Sequence, residues 1–180
     1  MDARIQHMTR DEAPVSQGTR HRFERPLTLI LVLLILTSAA WLRTYGLNWD
    51  EGTHLHPDER YLTMLAGAVE IPNDLATYWD TSRSPLNPTN RGYTNYVYGT
   101  LPLFATRSVG EWLDLACGDT PRPAANLARW LLMNTREPCR EGTYTSYVGI
   151  HLVGRTLSAF VDLLTLVGLM LMATRLYNHR

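Results

Sequence analysis

At 180 residues and a formal net charge of zero, the chain has length for one ordinary domain and no surplus of either sign. All 17 basic residues are arginine and none form a patch interleaved with aromatics, which argues against a nucleic-acid partner. Mean hydropathy is −0.17, typical of a soluble protein, yet the apolar residues are segregated into two long runs. That segregation predicts an all-α membrane protein: two transmembrane helices flanking a long extracytoplasmic loop that carries short amphipathic helices.

Residues 1–25 are polar and unpatterned and predict a disordered cytoplasmic tail. Leu27 to Leu42 carries no charge, and with Pro26 and the residues up to Tyr45 it reaches the length of a first transmembrane helix over 26–45. Trp41 and Tyr45 suit an interfacial aromatic belt. A cleaved signal peptide ending near Ser38-Ala39-Ala40 is the competing reading of this run. Arg4, Arg10, Arg20, Arg22 and Arg25 precede it, while Arg175 and Arg180 follow the second run. The positive-inside rule then puts both termini in the cytoplasm and residues 46–146 outside an inner (plasma) membrane, with Arg43 a minor contrary charge.

Within 46–146, an acidic connector leads to His56-Pro57-Asp58-Glu59-Arg60-Tyr61. Pro57 suits the first helical position, and Asp58 and Glu59 suit the positive end of the helix dipole. Leu62, Leu65, Ala66 and Val69 recur at helical spacing and predict an amphipathic helix to about Glu70. Residues 71–98 hold Pro72, Pro85, Pro88 and Gly92, and predict an irregular loop rich in tyrosine. A helix is expected from Pro102 to Gly118 with Leu103, Val109, Trp112 and Leu113 on one side, and a shorter one over 124–133. Cys117 and Cys139 are a candidate disulfide in an oxidising compartment, or two unrelated thiols; neither a CxxC nor a nearby His pair supports zinc.

The second span is expected over 147–177, with 178–180 a cytoplasmic end. His151, Arg155, Ser158 and Asp162 fall at i, i+4, i+7 and i+11, on one helical face. Ionisable groups in a membrane helix face protein or a wet cavity, so this stripe calls for partner helices from a longer chain or another subunit. Arg155 reads either as a partner of Asp162 two turns away or as a cation for a phosphate.

Asp50, Glu51, Asp58 and Glu59 place four carboxylates within ten residues, just beyond the first span. Asp58 and Glu59 alone read as ordinary helix-start chemistry, and Asp50 and Glu51 as solvated connector. Their position at a membrane exit adds a second reading, in which one acid takes a proton while another orients or ligates. Tyr78, Trp79, Tyr93, Tyr96 and Tyr98 suit interfacial anchoring or stacking on a sugar ring, and Arg83 and Arg91 suit an exposed surface or a phosphate.

Three segments together resemble a known family. They are His56-Pro57-Asp58-Glu59-Arg60-Tyr61, then Ser84-Pro85-Leu86-Asn87-Pro88, and Tyr98-Gly99-Thr100-Leu101-Pro102-Leu103. With Gly154-Arg155-Thr156-Leu157-Ser158-Ala159, Asp162 and Arg175-Leu176-Tyr177, they are similar to the amino-terminal part of class C glycosyltransferases. Within that class the likeness is to the family 39, protein O-mannosyltransferase-like branch. The resemblance implies transfer of a sugar from a polyprenyl-phosphate donor to an acceptor outside the membrane. It implies Asp58 as the catalytic base with Glu59 in support and Asp50 as second choice, and substrate binding by Glu51, His56, Arg91 and Arg155. Members differ in metal dependence, so a divalent metal is admitted, no metal ligands are assigned, and no other cofactor is implied.

Two departures stand out. Thr100 and Leu101 occupy the place where members carry Lys or His near the donor phosphate, leaving Arg91 or Arg107 as substitutes. Such enzymes also have around ten or more spans, so the chain is expected to be the amino-terminal fragment of one. The alternative is a complete two-span protein whose extracytoplasmic loop binds a ligand or partner without catalysis; a third reading is an inactive remnant.

Overall fold

A computed structural model describes residues 20–117, 140 and 142–177, with side chains from Pro26 onward. The described residues are helical and contain no strand. They fall into two compact units divided after Ser38.

The first unit is helix throughout its described part. Helix α1 runs Arg20–Thr44 and continues across the division. It begins inside the stretch expected to be disordered tail, because Arg, His, Phe and Glu are all compatible with a helix that an apolar pattern alone does not reveal. Thr37 Oγ1 donates to the Leu33 carbonyl at 2.5 Å, returning its hydroxyl to the backbone.

The second unit is built from α2 (Pro57–Ala68), α3 (Leu75–Trp79), a 3₁₀ turn (Pro88–Arg91), α4 (Thr100–Ala116) and α5 (Ile150–Tyr177). α1 and α5 contain segments, Pro26–Thr44 and Ile150–Tyr177, long and apolar enough to cross a membrane. α5 starts three residues after Tyr147 because 142–149 form turns, closed by Gly149 N donating to the Ser146 carbonyl at 3.2 Å. The helix expected over 124–133 lies outside the described residues.

α2, α4 and the first turn of α5 pack against one another. α2 buries Leu65, Ala66 and Val69, which meet Leu86, Leu103 and Ile150 in one core. Leu113 of α4 with Tyr144, Leu152 and Val153 forms the other. Each fully buried Leu or Ile among these contributes roughly 1.5–3 kcal/mol over its exposed state. The buried face of α4 is Leu103, Arg107, Gly110, Leu113 and Asp114, so Trp112, expected on that side, is half exposed instead.

Two charged residues on that face staple it to its neighbours. Arg107 pairs with Glu111 at 2.8 Å and donates to the Gly67 and Thr145 carbonyls at 3.1 and 3.4 Å. Asp114 accepts from Tyr144 N, Thr145 N and Thr145 Oγ1 at 2.7, 3.0 and 2.6 Å. Cys117, packed beside Leu113, is disulfide-bonded, whereas Cys139 lies outside the described residues.

Close packing between Gly110 and Tyr144 fixes the approach of the 142–149 turns. A Cβ on Gly110 would lie 2.7 Å from the Tyr144 carbonyl oxygen. Gly110→Ala is therefore expected to cost about 1–3 kcal/mol through overpacking, read as a lowered unfolding midpoint in detergent.

Candidate functional site

The connector after α1 is short and tightly folded. Its carbonyls at Asn48 and Asp50 accept from Glu51 N and Thr53 N at 3.0 and 2.9 Å. Glu51 and His54 take positive φ values of 50° and 49°, where a side chain strains the backbone. The turn carries Asp50 inward, with a fully buried carboxylate, and leaves Glu51 exposed.

Arg155, one turn into α5, reaches that carboxylate in a bidentate fork: Nη1 to Oδ1 and Nη2 to Oδ2, both 2.9 Å. Its Nε donates to Glu59 Oε1 at 2.5 Å and its Nη1 also to the Leu47 carbonyl at 2.6 Å. The indole of Trp49 covers the guanidinium at 5.6 Å, a cation–π contact. The Arg155 hydrogen bonds hold Asp50 well below the ordinary carboxylate range, outweighing the opposing effect of burial. One cation thus ties the connector, α2 and α5 together.

Behind this network His54 is buried, its ring edge-on to Tyr147 and His151 at 4.4 and 4.5 Å between centroids. Its carbonyl accepts two bonds from the Arg60 guanidinium, at 3.2 and 3.1 Å. His151 Nε2 lies 3.3 Å from Asn48 Oδ1. His54 was not singled out in the sequence, and nothing in its neighbours' pattern marks it.

In front of the network lies a cavity of about 1060 Å³. Asp58, Glu59, His56, Tyr98, Arg155 and Ser158 line it, as do Arg43 and Asp162, with Leu42, Leu47, Pro102 and Ala159 among the apolar lining. Asp58 stands in the first turn of α2, exposed toward the cavity and in contact with the Tyr98 hydroxyl. Desolvation first, and the Asp58 charge second, raise the Tyr98 hydroxyl above its ordinary pKa, so it stays protonated beside that carboxylate. Tyr61, Tyr96 and Tyr98 cluster around this point, with Tyr98 6.5 and 6.0 Å from the other two rings.

Of the residues expected to act together, Asp50, Glu59 and Arg155 form one network, and Asp58 and His56 share the cavity with it. Glu51 and Arg91 do not line that cavity. Arg91 pairs with Glu70 at 2.8 Å and donates to the Pro85 carbonyl. Arg83 is exposed beside Asp80. Arg107, a candidate for the donor phosphate, is a buried staple between α2 and α4. Arg155 takes its acids from the connector and α2, not from Asp162, which pairs with Arg43. His151, Arg155 and Asp162 of the α5 stripe thus each meet a polar partner within this chain. Among the described residues no group of three or more His, Cys, Asp or Glu is placed to hold a metal ion.

No known protein family, curated protein or solved structure matches the chain.

Removing Arg155 strands a buried carboxylate. Arg155→Met is expected to cost about 3–5 kcal/mol, more than Asp50→Asn with Arg155 still paired to Glu59. The pH dependence follows from the same bond. Asp50 binds its proton more weakly folded than unfolded, so its contribution is complete above the unfolded pKa of about 4 and falls as pH drops below it. Acid titration of the unfolding midpoint checks this: Asp50→Asn should flatten the acid-side decline relative to the parent.

Proposed function

We propose that the chain forms the amino-terminal part of a membrane glycosyltransferase that moves a sugar from a polyprenyl-phosphate donor to an acceptor hydroxyl on the extracytoplasmic side. The observation that carries this reading is the division of labour among the acids. Asp50 and Glu59 are both engaged by Arg155, while Asp58 faces a cavity large enough for a sugar and its phosphate, beside a phenol that can orient it. A carboxylate with an open approach and a neighbouring phenol is suited to general-base work.

In this mechanism Asp58 accepts the proton of the acceptor hydroxyl as its oxygen bonds to the anomeric carbon. The bond from that carbon to the phosphate oxygen breaks with its electron pair, and lipid phosphate leaves. A single in-line displacement inverts the sugar carbon. Arg155 serves chiefly as the strut that fixes α2 and hence Asp58, and Glu59 supports the base through that strut. The aromatic cluster around Tyr98 supplies a stacking face for the sugar. Both termini would lie in the cytoplasm, with further helices from the remainder of the enzyme or another subunit completing the donor pocket.

A non-catalytic, ligand-binding protein is the second reading, favoured by the engagement of Asp50 and Glu59 in ion pairs with Arg155. Asp58→Asn separates the two. In native membranes supplied with labelled polyprenyl-phosphate sugars, transfer to the acceptor fraction is expected to fall by about 10²-fold or more while insertion stays unchanged. Undiminished transfer by Asp58→Asn would remove Asp58 from the chemistry, and absence of transfer by the parent would favour the binding protein.

A further inference from the structure

Asp162 lies near the middle of α5, twelve residues beyond Ile150, yet its partner Arg43 is in the last turn of α1. Arg43 directly follows the uncharged run that ends at Leu42. The two charges are thus level with the end of one candidate span and the centre of the other. Both side chains are well exposed, 35% and 55%, so protein does not enclose the pair. A half-exposed ion pair is at home among water and headgroups and out of place in hydrocarbon. Trp41 and Tyr45 flank Arg43, their rings stacked at 5.5 Å and largely exposed, which is the pairing of aromatic faces and polar edges found at a membrane boundary.

The two parts of α5 differ accordingly. Ile150 to Val153 are buried against the α2–α4 core, and Arg155 is enclosed by Asp50, Glu59 and Trp49, so the helix is covered by protein as far as Arg155, while Ser158, Phe160 and Val161 are exposed. From Leu163 to Thr174 no residue is charged, none of the large apolar side chains is buried, and Leu164, Leu169, Leu171 and Met172 are exposed. From Asp162 to Tyr177 the helix is roughly 24 Å long, as is the run Leu27–Leu42 at the same rise. Long arginine stems can bridge the shortfall against a hydrocarbon core of about 30 Å.

We infer that the polar boundary of the bilayer crosses α5 at Asp162, so that its first three turns stand clear of the hydrocarbon and the Arg43–Asp162 pair, with Trp41 and Tyr45, rests in the lipid headgroup layer. The inference depends on α1 and α5 being membrane spans. It places the cavity at headgroup height, its Arg43–Asp162 side facing lipid.

The test is a depth profile along α5 of the full chain in vesicles of phosphatidylcholine and phosphatidylglycerol. Single cysteines at Ser158, Val161, Leu164, Leu169 and Met172, each on an exposed position, carry a nitroxide, with the disulfide at Cys117 left oxidised. Collision with oxygen is compared with collision with a water-soluble nickel chelate. Labels at 158 and 161 should be readily reached by the chelate, and the most oxygen-rich, chelate-poor site should be 169. A maximum near 164, with 158 and 172 about equally deep, would centre the whole helix in the bilayer and overturn the inference. Chelate access at every position, with release of the chain by alkaline carbonate, would overturn the membrane reading itself.

Discussion

The second unit depends on one guanidinium. Arg155 is the point at which the connector, the first turn of α2 and the start of α5 meet, through two carboxylates and a carbonyl. Apolar packing alone would align α2 with α5, since Leu65 and Ile150 share a core, but it would not fix the connector, which contributes little apolar surface to it. The planar fork does what a lysine could not: it satisfies Asp50 at two oxygens and still has a third nitrogen for Glu59. Buried ion pairs of this kind add little net stability against a well-packed apolar replacement, but they choose one arrangement among several. Here the arrangement chosen turns Asp58 toward the cavity.

That network also separates four neighbouring carboxylates that look equivalent along the chain. Pro57 starts the helix, and successive residues of its first turn point about 100° apart. Glu59 therefore turns toward Arg155 while Asp58 looks into open space beside Tyr98. The tyrosines come from a loop without long regular structure, yet that loop is held in place. Asp80 accepts from Ser82, Asn87 and Asn90 both donate to the Thr81 carbonyl, and Gly92 closes the 3₁₀ turn at a φ of 88°.

Periodicity made α2, α4 and the two apolar helices legible, and their boundaries moved only where turn chemistry or helix-competent polar residues overrode the apolar pattern. Pro57 with Asp58 and Glu59 marked a helix start that the structure contains. The pairings were not legible, for a physical reason. Asp50 and Arg155 are 105 residues apart, Arg43 and Asp162 are 119 apart, and no local propensity encodes which distant charge a side chain will meet. Spacing placed His151, Arg155 and Asp162 correctly on one face, but could not show that the twelve-residue connector between α1 and α2 would fold back to satisfy most of it. Arg107, expected as a possible cation for the donor phosphate, and Asp114, which no motif marks, are staples instead, and most of their partners are backbone groups, which carry no sequence signal.

The left-handed residues of the connector have a consequence for how the chain is made. Glu51 and His54 hold conformations that free peptides of those residues largely avoid, so the connector does not adopt this shape unaided. Arg60 holds the His54 carbonyl from six residues on, but the Leu47 carbonyl and the Asp50 carboxylate wait for Arg155, which leaves the ribosome about a hundred residues later. At translation speeds of roughly 5–20 residues per second, that interval lasts on the order of 5–20 s. Throughout it Asp50 and Glu59 are two uncompensated acids at the mouth of an already synthesised apolar helix. The nascent protein therefore matures in reverse order, its early segment set only when a late one arrives.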